Sequence, residues 1–180
     1  MIIVDKDLKQ ALTDCRLGIE PFDESSVQPA SIDLKLGTTF MVCDEHAIVS
    51  PADKVFPQFR TVEIPPEGAI ALKPGQFMLG TTLEYVAVGG TLVGQLNGKS
   101  SLGRCGLMIH STAGFIDPGF HGTITLELLN VASWTILLKP GMFIGQLVLF
   151  AGSSPVEKLY GDPTLNSHYQ GQKSVTGPLS

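Results

Sequence analysis

The chain has 180 residues, 43% of them apolar and 16% charged, which fits a single domain that buries its own core without disulfides or a structural metal. A formal net charge of −5 argues against broad binding to nucleic acid or anionic membrane, because both need a surplus of Lys and Arg. So few charges leave a lone monomer poorly solvated, which predicts a homo-oligomer with part of its apolar surface covered between subunits.

The chain starts Met1-Ile2-Ile3-Val4-Asp5-Lys6. Early charge rules out a signal peptide, no apolar run nears the roughly 20 residues of a membrane span, and the expected location is cytoplasmic. Asp5 is positioned to cap a short helix over about Lys6 to Cys15, with Leu8, Ala11 and Leu12 at helical spacing and Gly18 beyond its end. From Ser31 onward, short Val/Ile/Leu/Phe/Thr stretches divided by Gly and Pro predict an all-β sandwich or barrel. They are Ile32 to Leu36, Thr61 to Ile64, Phe77 to Thr82, Thr123 to Leu129 and Gly145 to Phe150. Within the fourth, Ile124, Leu126 and Leu128 share one face, so Thr125 and Glu127 point the other way. Cys15, Cys43 and Cys105 are odd in number and far apart, as reduced thiols would be, and are expected as buried small hydrophobes. Residues 152–180 lose apolar periodicity and become rich in Gly, Pro, Ser and Gln, which suits either a frayed tail or a segment that closes over a ligand.

Three stretches carry candidate chemistry. In Gly98-Lys99-Ser100-Ser101-Leu102-Gly103-Arg104 a P-loop is rejected, since Gly94 lies one residue too close to be its first glycine. What remains is a Gly-flanked turn with two hydroxyls and two cations, in which Ser100 and Arg104 share a face if Ser101 to Arg104 forms a helical turn. It reads either as a phosphate cradle or as a capped turn with solvated charges. Asp117, before Pro118-Gly119, reads as a turn-stabilising side chain or as a catalytic carboxylate. Glu127, ten residues on, reads as a solvated strand residue or as a proton carrier. His110 and His121 have no partners at metal-ligand spacing, and no His-x-Glu is followed by Cys-x-x-Cys, so a zinc nucleobase deaminase is not expected. Trp134 and the phenylalanines are expected in the core or an interface.

Five stretches together resemble the dCTP deaminases of the dUTPase superfamily. They are Gln28 to Gly37, Gly98 to Arg104, His110-Ser111-Thr112-Ala113-Gly114-Phe115-Ile116-Asp117-Pro118-Gly119-Phe120, Thr125-Leu126-Glu127, and Gly145-Gln146-Leu147. With Tyr169-Gln170-Gly171-Gln172 in the tail, the likeness runs nearly end to end and is strongest to the bifunctional, dUMP-forming dCTP deaminase/dUTPase branch. The resemblance implies a distorted β-barrel or jelly-roll-like dUTPase-type fold, with a short N-terminal helix, in one domain spanning 1–180. It implies a homotrimer with sites at subunit boundaries, and residues 152–180 closing over the nucleotide. It further implies Mg²⁺ carried by the triphosphate, no protein metal ligand, and no zinc.

By the family pattern, Glu127 shuttles protons as water attacks cytosine C4, with Ser100 and Arg104 placing that water near the Ala113 backbone. Asp117 stands against the deoxyribose 3'-hydroxyl and the water that splits the triphosphate. Lys99, Ser100, Ser101, Leu102, Gly103, Arg104, Gln146, Tyr160, His168 and Gln172 match positions that hold phosphates, sugar or base, and Thr125, Leu126 and Glu127 line the pyrimidine. Gly114 marks the bifunctional branch, since the deaminase-only branch tends to carry His there. His168 stands where the family commonly has Lys, which would leave one phosphate contact weaker, pH-dependent or lost. The implied ligands are dCTP and dUTP, with dTTP as a feedback inhibitor. A deaminase that releases dUTP, a dUTPase alone, and a non-catalytic nucleotide-binding trimer stand as the alternatives.

Overall fold

The computed structural model describes residues 1–43 and 48–178. One helix, α1 (Asp5–Thr13), precedes the strands and buries Leu8 and Ala11. Its start differs from the expected one: Val4 occupies the cap position without a side-chain bond, and Asp5 is the first helical residue. The Asp5 N–H donates instead to the Pro29 carbonyl at 3.0 Å, so main chain from elsewhere in the fold satisfies the helix entry. Asp5 and Asp7 still favour the helix dipole from its first turn. The end also differs: the helix stops at Thr13, and Cys15, within the expected span, takes left-handed backbone (φ 56°).

The strands are β1 (Leu17–Glu20), β2 (Val27–Gln28), β3 (Ser31–Lys35), β4 (Thr39–Cys43), β5 (Phe59–Glu63), β6 (Ile70–Leu72) and β7 (Phe77–Val88). There follow β8 (Leu92–Gly98), the one-turn helix α2 (Ser100–Gly103), β9 (Leu107–Met108), β10 (Phe115–Ile116), β11 (His121–Asn130), β12 (Ile136–Leu138) and β13 (Phe143–Ala151). All pairings among them are antiparallel. One sheet runs β5-β4-β7-β11-β9 with β1 added to β7, a second runs β10-β8-β13-β3-β2, and β12 pairs with β6. The expected all-β fold is present as two sheets over one continuous apolar core rather than as a closed barrel.

Alternation builds that core. Ile124, Leu126 and Leu128 of β11 are buried while Thr125 and Glu127 stand on the other face, as their spacing predicted. They meet Phe40 and Met78 from the same sheet, Leu34 and Leu147 from the other, and Leu36 just past β3, all fully buried. Each such side chain contributes about 1.5–3 kcal/mol relative to an exposed position. Register breaks twice, between Thr123 and Thr125 of β11 against β7 and between Phe143 and Gly145 of β13 against β3. At the first break, Thr82 Oγ1 accepts the Ile124 N–H at 2.9 Å, so a side chain replaces the lost ladder bond. Both breaks lie beside the residues singled out from sequence.

The expectation for the cysteines fails. Cys15 and Cys105 are exposed and Cys43 is half-buried, all three as free thiols, so none is a core residue. Two of them sit at turns: Cys15 at the left-handed end of α1, and Cys105 just after α2. Trp134 is 56% exposed, so the core alternative is excluded within one chain, and its indole N–H donates to the Cys105 carbonyl at 3.0 Å.

Residues 152–178 carry no helix or strand, yet they fold back along Pro118 to Thr125. Tyr160 N–H donates to the Pro118 carbonyl, Gly171 N–H to His121, and Thr123 N–H to Gln172. Gln170 pins the segment with three bonds: its Nε2 donates to the Gly119 and Tyr160 carbonyls, and its Oε1 accepts from the His121 N–H. Gly119, at φ +94°, permits this approach, since a Cβ there would lie 2.6 Å from the Leu159 Cβ. No helix among the described residues is long and apolar enough to cross a membrane.

Candidate active site

The residues singled out from sequence divide between two cavities with different chemistry. The first, about 440 Å³, opens where β8 passes into α2, and Lys99, Ser100, Ser101, Gly103, His110 and Gln146 line it. Gly98 ends β8, Lys99 holds the cap position in extended backbone, and α2 makes the anticipated helical turn, one residue earlier than Ser101. Ammonium, hydroxyl and carboxamide groups face this space, with no carboxylate among its described lining residues.

The second cavity, about 510 Å³, holds both carboxylates. Asp117 and Glu127 line it with Ala113, Thr125, Tyr160 and Gln172, against an apolar wall that includes Phe59, Phe77, Leu79 and Phe115. Its described lining residues include no Lys, Arg or His. Glu127 projects from the outer face of β11, and its Oε2 accepts the Ser111 N–H at 2.7 Å. The Asp117 turn is closed by main chain, the Phe120 N–H donating to the Asp117 carbonyl at 3.1 Å, and the carboxylate faces the cavity.

The segment from His110 to Gly114 runs between the two spaces. His110 lines the first cavity, Ser111 holds Glu127, and Ala113 lines the second. Gly114 is buried where it ends, with its carbonyl accepting the Leu96 N–H at 2.7 Å. A Cβ there would lie 2.8 Å from the Leu96 carbonyl oxygen and 3.1 Å from the His110 Cε1, so the close approach needs Gly.

Not every expected residue reaches a cavity. Leu126 is fully buried in the core, so only its backbone is available to the cleft. Leu102 packs partly buried against the core. Arg104 is exposed beyond α2, its N–H bonded to the Ser100 carbonyl, and lines neither cavity. His168 is exposed in the tail, with its Nε2 3.0 Å from Asn166 Nδ2. Within one chain, then, the cations and hydroxyls are not brought together with the two carboxylates.

Sequence reasoning missed four participants. Ser111 enters through its backbone, which side-chain identity does not reveal. Thr176 and Gly177 line the second cavity, and the Thr176 N–H points at Thr125 Oγ1 at 3.4 Å. Asp33 is buried at 6% exposure and accepts from Lys99 Nζ at 2.6 Å. A charge midway along an apolar strand was its available signal. Among the described residues no three His, Cys, Asp or Glu side chains converge as a metal cage. The donors of the first cavity suit phosphate oxygens, so a divalent ion borne by a nucleotide fits it better than one held by protein.

A family model described as dCTP deaminase-like matches residues 2–152. A protein of Tropheryma whipplei (strain Twist) named "dCTP deaminase, dUMP-forming" is 49% identical over 182 residues, covering all of this chain and 93% of the relative. A Beutenbergia cavernae protein of the same name is 46% identical, over all of this chain and 95% of the relative. Among solved structures, 2'-deoxycytidine 5'-triphosphate deaminase from Agrobacterium tumefaciens aligns with TM-score 0.66 at 24% identity, over 84% of this chain and 48% of that one. A mutant phage 80alpha dUTPase aligns with TM-score 0.50 at 16% identity, over 84% of this chain and 98% of that one. Those two alignments speak to the fold, and the family match with the near-half-identical relatives speaks to descent: the chain belongs to the dCTP deaminase-like family.

Proposed function

We propose that the protein converts dCTP to dUMP, diphosphate and ammonia in two hydrolytic steps, supplying dUMP for dTTP synthesis. The observation that carries this reading is the pair of carboxylates in one apolar-walled cavity, with Glu127 oriented by the Ser111 amide and Asp117 on the adjoining turn. The relatives named dUMP-forming dCTP deaminases support it.

In the first step, Glu127 takes a proton from water as the oxygen adds to cytosine C4, then returns it to the departing amino group. Ammonia leaves and a uracil ring remains. Ser100 and Arg104 place that water, and Thr125 with the Leu126 backbone borders the ring. In the second step, Asp117 orients a second water toward the α-phosphorus, and cleavage of the α–β bridge gives dUMP and diphosphate. Lys99, Ser100, Ser101, Gly103 and Gln146 hold the phosphates. Mg²⁺ carried on the triphosphate supplies charge neutralisation of the leaving diphosphate. Tyr160, His168 and Gln172 belong to the tail that closes over the nucleotide and excludes water.

The separation of cations from carboxylates supports sites formed where two copies meet, in a homotrimer. Exposed Phe22, Leu83, Val131, Trp134 and Leu137 provide apolar surface for that assembly. Feedback by dTTP follows from competition for the same site, and the cytoplasm is the expected setting.

The test is a product list. Purified protein with Mg²⁺ is given dCTP, then separately dUTP. Formation of dUMP from both supports the proposal. Accumulation of dUTP from dCTP reduces the protein to a deaminase, turnover of dUTP alone to a dUTPase, and no turnover leaves a nucleotide-binding trimer.

A further inference from the structure

Asp33 sits midway along β3 between Ile32 and Leu34, both fully buried in the core. Alternation turns Asp33 to the opposite face, where it pairs in register with Gln146 of β13, which pairs in turn with Asn97 of β8. This polar row leads to Lys99, whose Nζ lies 2.6 Å from Asp33 Oδ2. The other oxygen, Oδ1, is buried with no hydrogen-bond partner among the described residues. Lys99 Nζ also stands 5.5 Å from the centre of the Phe143 ring.

As a stabilising device this arrangement is poor. Burying a carboxylate has a desolvation cost, an unmet oxygen adds to it, and apolar replacements of such pairs are often neutral or stabilising. Its clear effect is geometric. An ammonium carries three N–H donors on a flexible four-carbon stem. With one donor held by Asp33 and the ammonium also standing over the Phe143 ring, the other two are held at the cavity wall, beside the hydroxyl-bearing turn of Ser100 and Ser101.

We propose that Asp33 is a positioning residue for Lys99, fixing its ammonium so that a diphosphate group meets oriented donors. The inference rests on the reading of this cavity as the phosphate cradle. The rotamer freedom of Lys99 is lost on folding rather than on binding, which is how preorganisation raises affinity. The adjacent ammonium offsets the Asp33 charge, so the phosphates face a short dipole, whose repulsion fades faster with distance than that of a bare charge.

The experiment measures inorganic pyrophosphate binding by calorimetry, and the KM for dCTP, in Asp33→Asn, Asp33→Glu, Lys99→Met and the Asp33→Asn/Lys99→Met double variant. Asp33→Asn and Lys99→Met should each weaken pyrophosphate binding by about 5- to 20-fold, with the double variant no weaker than Lys99→Met alone. The KM for dCTP should rise by a similar factor in Asp33→Asn while kcat falls less. Asp33→Glu keeps the charge but displaces it by one methylene, and should also weaken binding. If Asp33→Asn does not fold, Asp33→Glu decides. Independent, multiplying effects in the double variant overturn the proposal, and so does wild-type binding by Asp33→Glu. Wild-type binding by Lys99→Met removes the cradle reading itself and the proposal with it.

Discussion

The Ser111 N–H donates to Glu127 Oε2 at 2.7 Å, so the main chain, rather than another side chain, aims this carboxylate into the second cavity. Glu127→Gln keeps an oxygen for that bond but cannot carry a proton. Release of ammonia from dCTP should fall by at least about 10²-fold, while dUTP hydrolysis persists. Paired assays of ammonia and dUMP measure this, and undiminished dCTP turnover would sink the assigned role.

Asp117 lines the same cavity and is proposed to serve the second, hydrolytic step. Asp117→Asn should leave deamination running and slow cleavage of the triphosphate by about 10²-fold, so that dUTP accumulates from dCTP. Chromatography of the nucleotides over time reads the result. A variant that still yields dUMP at the wild-type rate removes Asp117 from the hydrolytic step.

Gly114 has no room for a side chain. In Gly114→Ala the new Cβ would press on the Leu96 carbonyl oxygen at 2.8 Å and the His110 ring at 3.1 Å. Overpacking of this kind costs about 1–3 kcal/mol and displaces the neighbouring backbone. Since that backbone carries both Ser111 and Ala113, the variant should melt earlier and shift its products from dUMP toward dUTP. Thermal melts with product analysis test both effects, and an unchanged midpoint would contradict the crowding.

Burial raises the pKa of the Glu84 carboxyl above its ordinary value, against smaller opposing effects that include the Lys35 N–H bonded to its Oε2 at 2.9 Å. A folded pKa above the unfolded one gives a contribution fully present below the unfolded pKa and lost as pH rises through the folded pKa. Glu84→Gln keeps the acceptor and removes the buried charge. Its melting midpoint should exceed the wild-type value at pH 8, by about 2–4 °C for each kcal/mol recovered, and the gap should close near pH 4. Parallel curves at every pH would dismiss the buried charge as the cause.

Much of the fold was legible because alternation is local: Ile124, Leu126 and Leu128 declare their face without reference to a partner strand. Glycine obscured β8, where Gly94 and Gly98 weaken a strand pattern that Leu92 and Leu96 begin. The ends of α1 were misread because its entry bond comes from Pro29 and its left-handed exit falls on Cys15, neither of which propensity anticipates. For the site, the side chains of Lys99, Ser100, Asp117 and Glu127 were visible as residue types. Their division into two cavities was not, since it depends on how β8 and β11 are set in different sheets. Asp33 escaped for a related reason: its partner Lys99 is 66 positions away and becomes a neighbour only through the register of β3, β13 and β8.

That division into two cavities has a genetic consequence. If each working centre takes its phosphate cradle from one copy and its carboxylates from the next, a gene encoding Lys99→Met and another encoding Glu127→Gln are each impaired alone in making dUMP from dCTP. Expressed in one cell, their products would mix, and some boundaries would join an intact cradle to an intact carboxylate pair. Two defective alleles would then complement each other.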